Sequence, residues 1–402
     1  MILDPVEILE RLVAIPSVNP MGREAIGPTY GEARLTAFLE ETFKRMGLTT
    51  QRQPVTPGQD NLIARLDGDP APQDGGRVVL LDAHQDTVPV DGMTIEPFRP
   101  QQRDGRLYGR GACDTKGGMA AILAAVSRLA QQRPRPRPTI IVSCTVNEEN
   151  GFSGAKRVTQ AWGDGHGEII PHKPEVAIAA EPTGLDVVVA HKGVIRWKCH
   201  TRGRAGHSSR PIAGDNAIYA MARVVTAIEQ YAAKPGTQGA AHPLCGPGTW
   251  NVGTIHGGAS INTVPDRCTI EIEYRPSPGE DPTAARERLI EQLPQAAATR
   301  YPIEHEPPYM SGPPLWDEHN GVLADQVCGL VREIVGSCQK IGVPYATNAA
   351  LYSAAGVPAV AFGPGFLAQA HSADEWVPLD QLRQATEIFY RFCRAFPTAP
   401  RL

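Results

Sequence analysis

The stretch Arg77–Ala83, RVVLLDA, running into His84-Gln85-Asp86, decides the architecture of this chain. Its apolar centre lacks the polar-apolar alternation of a half-exposed strand, so it reads as a strand buried on both faces, as in a parallel sheet. Three further runs repeat the pattern: TIIVSCTV at 139–146, EVAIAA at 175–180 and VPAVAF at 357–362. Helical or loop material separates them, which argues for an α/β layered domain. Ligands of open α/β sheets bind just beyond the carboxyl ends of the strands, and each of these runs is followed by possible metal ligands.

Working outward, Asp4, Pro5 and Glu7 signal an opening helix by cap, first-position proline and an acid three residues after the cap. A second helix is predicted from near Tyr30 to Met46, with Gly47 as its stop. The RPRPRP stretch, Arg133–Pro138, reads as an extended surface connection. From about Asp186 to Arg300 the texture changes. VIRWKCHT and CTIEIEY alternate, and NAIYAMARVVTAIEQYA and PTAARERLIEQL have helical periodicity. This is an α+β insert on an antiparallel sheet, placed at 187–305, and it interrupts a first domain made of 1–186 and 306–402.

Two domains also suit 402 residues, more than one hydrophobic core usually serves. The 39 Lys+Arg against 43 Asp+Glu leave a net charge of −4, which offers no basic surface to nucleic acid. The N-terminus MILDPVEILERLVAI is acidic where a signal peptide would be basic, and no apolar run reaches membrane-spanning length. A soluble cytoplasmic protein without a membrane partner is expected. Eight scattered cysteines without a CxxC pair read as reduced, buried small hydrophobes.

His84 with Asp86 two residues on suits a metal-bound imidazole whose other ring nitrogen the carboxylate holds. Asp114, in GRGACDTKGG, lies among glycines before an apolar helix starting near Met119, where it serves as a helix cap or as a ligand. Glu148 and Glu149 are adjacent at a strand end, so one could bind metal and the other handle protons. Glu181 follows EVAIAA, and His371 lies in the loop GPGFLAQAHSADE. Two histidines and at least four carboxylates on one rim are more charge than a sheet edge tolerates unpaired, and metal is the natural compensation. In two-metal hydrolytic sites the ions stand roughly 3.5–4 Å apart, a gap one carboxylate can bridge. Asp114 is the candidate bridge.

The series AHQDTVP, LYGRGACDTKGG, NEENG, AEPTG, GHSS, GGASINTVPD and FGPG with AHSADE resembles the motifs of the acetylornithine deacetylase and succinyl-diaminopimelate desuccinylase family, in order and over nearly the whole chain. That family also holds aminoacylases and glutamate-type carboxypeptidases. The resemblance implies a zinc-hydrolase-type catalytic domain with a mixed sheet flanked by helices, and an inserted lid or dimerisation domain. It implies two zinc ions per chain, one held by His84, Asp114 and Glu181 and the other by Asp114, Glu149 and His371, with cobalt or manganese able to substitute. Asp86 then stands behind His84, and Glu148 is the general base for a water activated by the zinc pair. No Ser or Cys nucleophile is needed, which makes Cys113 a packing residue.

In the insert, Arg275 of EYRPSP matches a family arginine that meets a substrate carboxylate, against a plain surface salt bridge. Asn262 of INTVPD assists at the substrate or makes a turn. His207 of GHSS, by the resemblance, reaches the active site of the other subunit of a homodimer and steadies the oxyanion. Asn348, in ATNAALYSAAGVP, stands where relatives commonly carry an acid, so altered substrate contacts are expected there. The implied activity is hydrolysis of the amide bond of an N-acyl amino acid, best of the acetylornithine type. Desuccinylase, aminoacylase, carboxypeptidase or dipeptidase action stands behind it. A non-catalytic metal-stabilised binding protein is the alternative of another class, and Glu148 discriminates against it.

Overall fold

Asp4 caps the first helix, Pro5–Val13, its carboxylate accepting the N–H groups of Val6 and Glu7. The second helix spans Ala33–Arg45 and stops at Gly47, whose φ of 80° suits a residue without Cβ. These positions come from a computed structural model that describes residues 2–24, 27–163, 169–210 and 215–396.

The four apolar runs become four adjacent parallel strands. Thr139–Thr145 pairs with Val78–His84, which pairs with Val176–Ala179, which pairs with Ala359–Ala361. Every residue of Val78–His84 and Thr139–Thr145 is buried, which accounts for the absence of alternation. Thr49–Thr56 and Gln59–Leu66 extend one edge antiparallel, while Val187–His191 and Lys340–Val343 complete an eight-stranded mixed sheet at the other. Helix Lys116–Gln132 is buried along most of its length and begins three residues before the predicted Met119. Because the central strands run in parallel, their carboxyl ends share one rim.

The chain separates into two compact units, Met1–Val189 with Trp316–Gly342 and Thr347–Leu402, and Ala190–Leu315 with Val343–Ala346. The second unit carries an antiparallel sheet ordered Thr249–Gly257, Arg267–Arg275, Val194–Arg202, Glu304–His305. Buried and half-buried residues alternate along Arg267–Arg275, and Ile270, Ile272 and Tyr274 join Met221, Ile228 and Leu289 of helices Ala217–Ala233 and Pro282–Ala297 in one core.

The limits of this unit differ from 187–305. Val187–His191 is a continuous apolar run buried throughout, so it joins the large sheet and not the alternating one. At the other end, Glu304–His305 and Met310–Gly312 pair with Val194–Arg202, and strands of two and three residues leave no periodic signal. Among the described residues no helix is long and apolar enough to cross a membrane.

Candidate metal centre

His84 is the last residue of its strand and is buried. Its Nε2 lies 3.1 Å from Asp114 Oδ1, and its Nδ1 lies 2.9 Å from the main-chain oxygen of Asp86. The Asp86 carboxylate that the sequence pairs with this nitrogen also lies near it, Oδ1 3.6 Å from Nδ1, and has further partners. Asp86 Oδ1 accepts the N–H of Glu148 at 3.0 Å, and Oδ2 accepts the N–H of Glu149 at 3.1 Å and Asn19 Nδ2 at 2.9 Å. Asp86 therefore fixes the two glutamates through their backbone, while its carbonyl orients the imidazole and leaves Nε2 turned to Asp114.

Asp114 presents one carboxylate oxygen to each side: Oδ1 to His84, and Oδ2 to His371 Nε2 at 3.3 Å. His371 Nε2 also lies 3.3 Å from Glu149 Oε1. Two groups of side chains could hold a cation, His84–Asp114–Glu181 and Asp114–Glu149–His371, and the ligand atoms in each lie within 4.8 Å of one another. These are the ligand sets the resemblance implied, and Asp114 is common to both. Glu148 belongs to neither. It is 7 % exposed, within the electrostatic reach of His84, Glu181 and Glu149.

The electrostatics of the protein without metal mark the site as unbalanced. Burial, followed by repulsion among neighbouring acids, pushes the carboxyls of Glu148, Glu149 and Glu181 above their usual range. Against the burial that would lower it, the carboxylates of Asp114 and Glu149 push His371 up to about 11. Against the burial that would raise it, hydrogen bonds from His371 and His84 hold Asp114 far below the usual carboxylate range. Protons on the two imidazoles thus do part of what a divalent cation does, and an O- and N-donor set with surplus negative charge fits such cations.

Asn348 directly precedes helix Ala349–Ala354. It is buried, and its Nδ2 donates to Asp82 Oδ2 at 2.9 Å and Thr145 Oγ1 at 3.0 Å, among groups packed inside the sheet beneath His84. Its Nδ2 is spent on that core network, while its buried Oδ1 has no hydrogen-bond partner among the described residues. Cys113 is buried with its Sγ on the Phe366 carbonyl, and burial pushes its thiol well up, so it packs and does not supply a thiolate.

Within the second unit, His207 and Asn262 come together although 55 positions separate them. Strands Gly206–His207 and Thr263–Val264 pair, and Ser208 N–H donates to the Asn262 carbonyl at 3.0 Å. His207 is exposed, with Nδ1 2.8 Å from Ser209 Oγ. Arg275 lies elsewhere, its Nε and Nη2 each 3.1 Å from the Glu273 carboxylate, which Arg196 also grips at 2.6 Å.

Two further residues escaped the sequence reading. Glu32 is buried and accepts the N–H of Asn147 at 3.3 Å, and burial followed by the charge of Asp86 pushes it up to about 7. Glu375 is the final acid of the AHSADE motif, and it touches residues 110–114 at four points.

A dinuclear arrangement of carboxylates and histidines at the rim of a mixed α/β sheet defines a class of metal-dependent hydrolases. Residues 80–395 match the model of peptidase family M20/M25/M40, and the chain belongs to that family. It is an enzyme that acts on amide bonds. An acetylornithine deacetylase of Myxococcus xanthus is 32 % identical over 374 residues, 90 % of each chain. The same fold recurs in an M20 family metallo-carboxypeptidase of Sulfolobus solfataricus (TM-score 0.79, 18 % identity, covering 99 % and 100 % of the chains). It recurs again in a dinuclear metal-binding peptidase of Bacillus subtilis (TM-score 0.67, 17 % identity, covering 98 % of each).

Proposed function

We propose that this chain hydrolyses the amide bond of a small N-acyl amino acid, with acetylornithine-type deacylation as the specific activity, using two zinc ions per chain. The observation that carries the proposal is Asp114, whose two oxygens serve two ligand groups while Glu148 stands beside them outside either group. The 32 % identity to an acetylornithine deacetylase supports the substrate class.

His84, Asp114 and Glu181 would hold one ion and Asp114, Glu149 and His371 the other. When bound, the pair acidifies water and polarises the amide carbonyl. Glu148 takes the proton of the attacking water on its carboxylate and returns it to the leaving nitrogen. Asp86 keeps the Glu148 and Glu149 backbone in place for this. Asn262 and Arg275 contact the substrate, Arg275 by paired hydrogen bonds to its α-carboxylate. His207 donates to the carbonyl oxygen as it gains charge, across the interface of a homodimer. Eight free cysteines suit a reducing cytoplasm.

The test is amine release from acetyl, succinyl, formyl and peptidyl amino acids by the zinc-loaded protein, then again after chelation and after zinc is restored. The acetyl derivative of a basic amino acid should be preferred, and chelation should abolish turnover reversibly. Turnover that survives exhaustive metal removal refutes the mechanism, and a preference for dipeptides moves the substrate class.

A further inference from the structure

The segment that delivers His371 also holds the loop that delivers Asp114, and one side chain makes the connection. Strand Trp376–Pro378 pairs with Arg106–Tyr108, Trp376 opposite Tyr108, so the residue before one strand meets the residues after the other. Glu375, 0 % exposed, is that residue. Its Oε1 accepts the N–H groups of Cys113 at 2.9 Å and Asp114 at 3.0 Å. Its Oε2 accepts the N–H of Gly111 at 3.0 Å and Nη1 of Arg110 at 2.6 Å. The Glu375 carbonyl accepts the N–H of Gly109 at 2.9 Å. Residues 109–114 lie between a strand and a helix, and three of their N–H groups are satisfied by this one carboxylate. A buried carboxylate with four donors, one of them the Arg110 guanidinium, is fully committed to holding that loop, despite the nearby charge of Asp114.

The two ligand groups depend on this grip unequally. His84 ends a fully buried strand, and Glu181 follows another with its N–H on the Phe362 carbonyl, so the sheet itself fixes both. His371 has no such support: its side chain is 50 % exposed, it sits in a loop, and its φ is 60°. It is connected to Asp114 through Glu375, four residues on.

We propose that Glu375 is a positioning residue that locks the Asp114 loop to the His371 segment and thereby sets the affinity of the ion site formed by Asp114, Glu149 and His371. The assignment rests on the two-ion reading of the site. Glu375→Gln keeps the shape but places an NH2 group among donors, while Glu375→Asp keeps the charge and shortens the reach by one methylene.

The experiment titrates the metal-free full-length parent and both variants with Co2+, following heat and visible absorbance, and records thermal unfolding of each. In Glu375→Gln the weaker step should lose roughly 10- to 100-fold in affinity, the range known for groups that orient metal ligands, while the tighter, which shares Asp114 but keeps His84 and Glu181 on the sheet, loses clearly less. Glu375→Asp should fall between. A general loosening of the fold lowers the melting temperature and weakens both steps alike. Should the glutamine variant fail to fold, the ratio of the two steps in Glu375→Asp decides. A parent that takes up one ion overturns the two-ion reading and this assignment with it. A parent that takes up two, with both steps weakened equally or neither weakened in the variants, overturns this assignment alone.

Discussion

Replacing Glu148 with Gln removes a base and a charge while keeping volume. The main-chain N–H of Glu148 is held by Asp86 Oδ1 at 3.0 Å, and the side chain is 7 % exposed, so the amide should occupy the same place. Glu148 lies outside both candidate ligand groups, and two ions should still bind. A positioned general base contributes about 10²–10⁴ in rate, which at about 1.4 kcal/mol per decade is ~3–5 kcal/mol of barrier. The expected result is a fall of kcat by that factor, with KM within about threefold, because the lost interaction belongs to the transition state. Burial, with repulsion from Glu181, Glu149 and Asp86 acting against attraction by His84, pushes the Glu148 carboxyl well above its usual range. Removing that carboxyl relieves the strain, and the metal-free variant should melt no lower than the parent. The assay is steady-state kinetics at saturating zinc, beside metal analysis and calorimetry. A zinc-saturated variant that keeps more than about a tenth of parental kcat refutes the role of base. Loss of one ion places Glu148 among the ligands instead.

In the metal-free protein, folding holds His371 up to about 11 against an ordinary 6.5, so the stability this proton supplies is complete below pH 6.5 and drains as pH rises toward 11. Raised Glu149 and Glu181 act in the same direction above 4.5, and the melting temperature in chelator should fall from pH 6.5 to 9; a rise over that window refutes the reading. Metal needs those ligands deprotonated, so the gap between loaded and free melting temperatures should widen over the same range. Arg275→Ala should harm substrates with a free α-carboxylate by roughly tenfold or more and spare their amides, at a stability cost below about 1 kcal/mol. Arg196 still grips Glu273 in that variant, and equal losses for acid and amide would show that Arg275 does not read the carboxylate. Mixing His207→Ala with Glu148→Gln chains, each inactive alone, should restore a substantial fraction of activity once subunits exchange. Background activity after demonstrated exchange rules out action across an interface.

What the sequence discloses and what it conceals follow from the same physics. The four parallel strands were legible because burial on both faces repeats at every residue from Val78 to His84 and from Thr139 to Thr145, and repetition survives in a one-dimensional string. The candidate ligands were legible for a related reason: most follow the ends of those strands, and surplus acids at such a rim carry a cost that cations relieve. Val187–His191 was misplaced because its neighbours alternate and it does not. Glu375, the backbone partners of Asp86 and the buried setting of Asn348 were out of reach for another cause. Each works on groups that every residue has, or on a polar atom remote in sequence: Glu375 on the N–H of Asp114 across 261 positions, Asn348 on Asp82 across 266. Backbone N–H groups leave no trace in residue identity, so a carboxylate that serves them looks like any surface acid until the fold closes around it. The consequence for this site is that its candidate ligands can be read from motifs, whereas the hydrogen bonds by which Asp86 and Glu375 hold the backbone around them cannot.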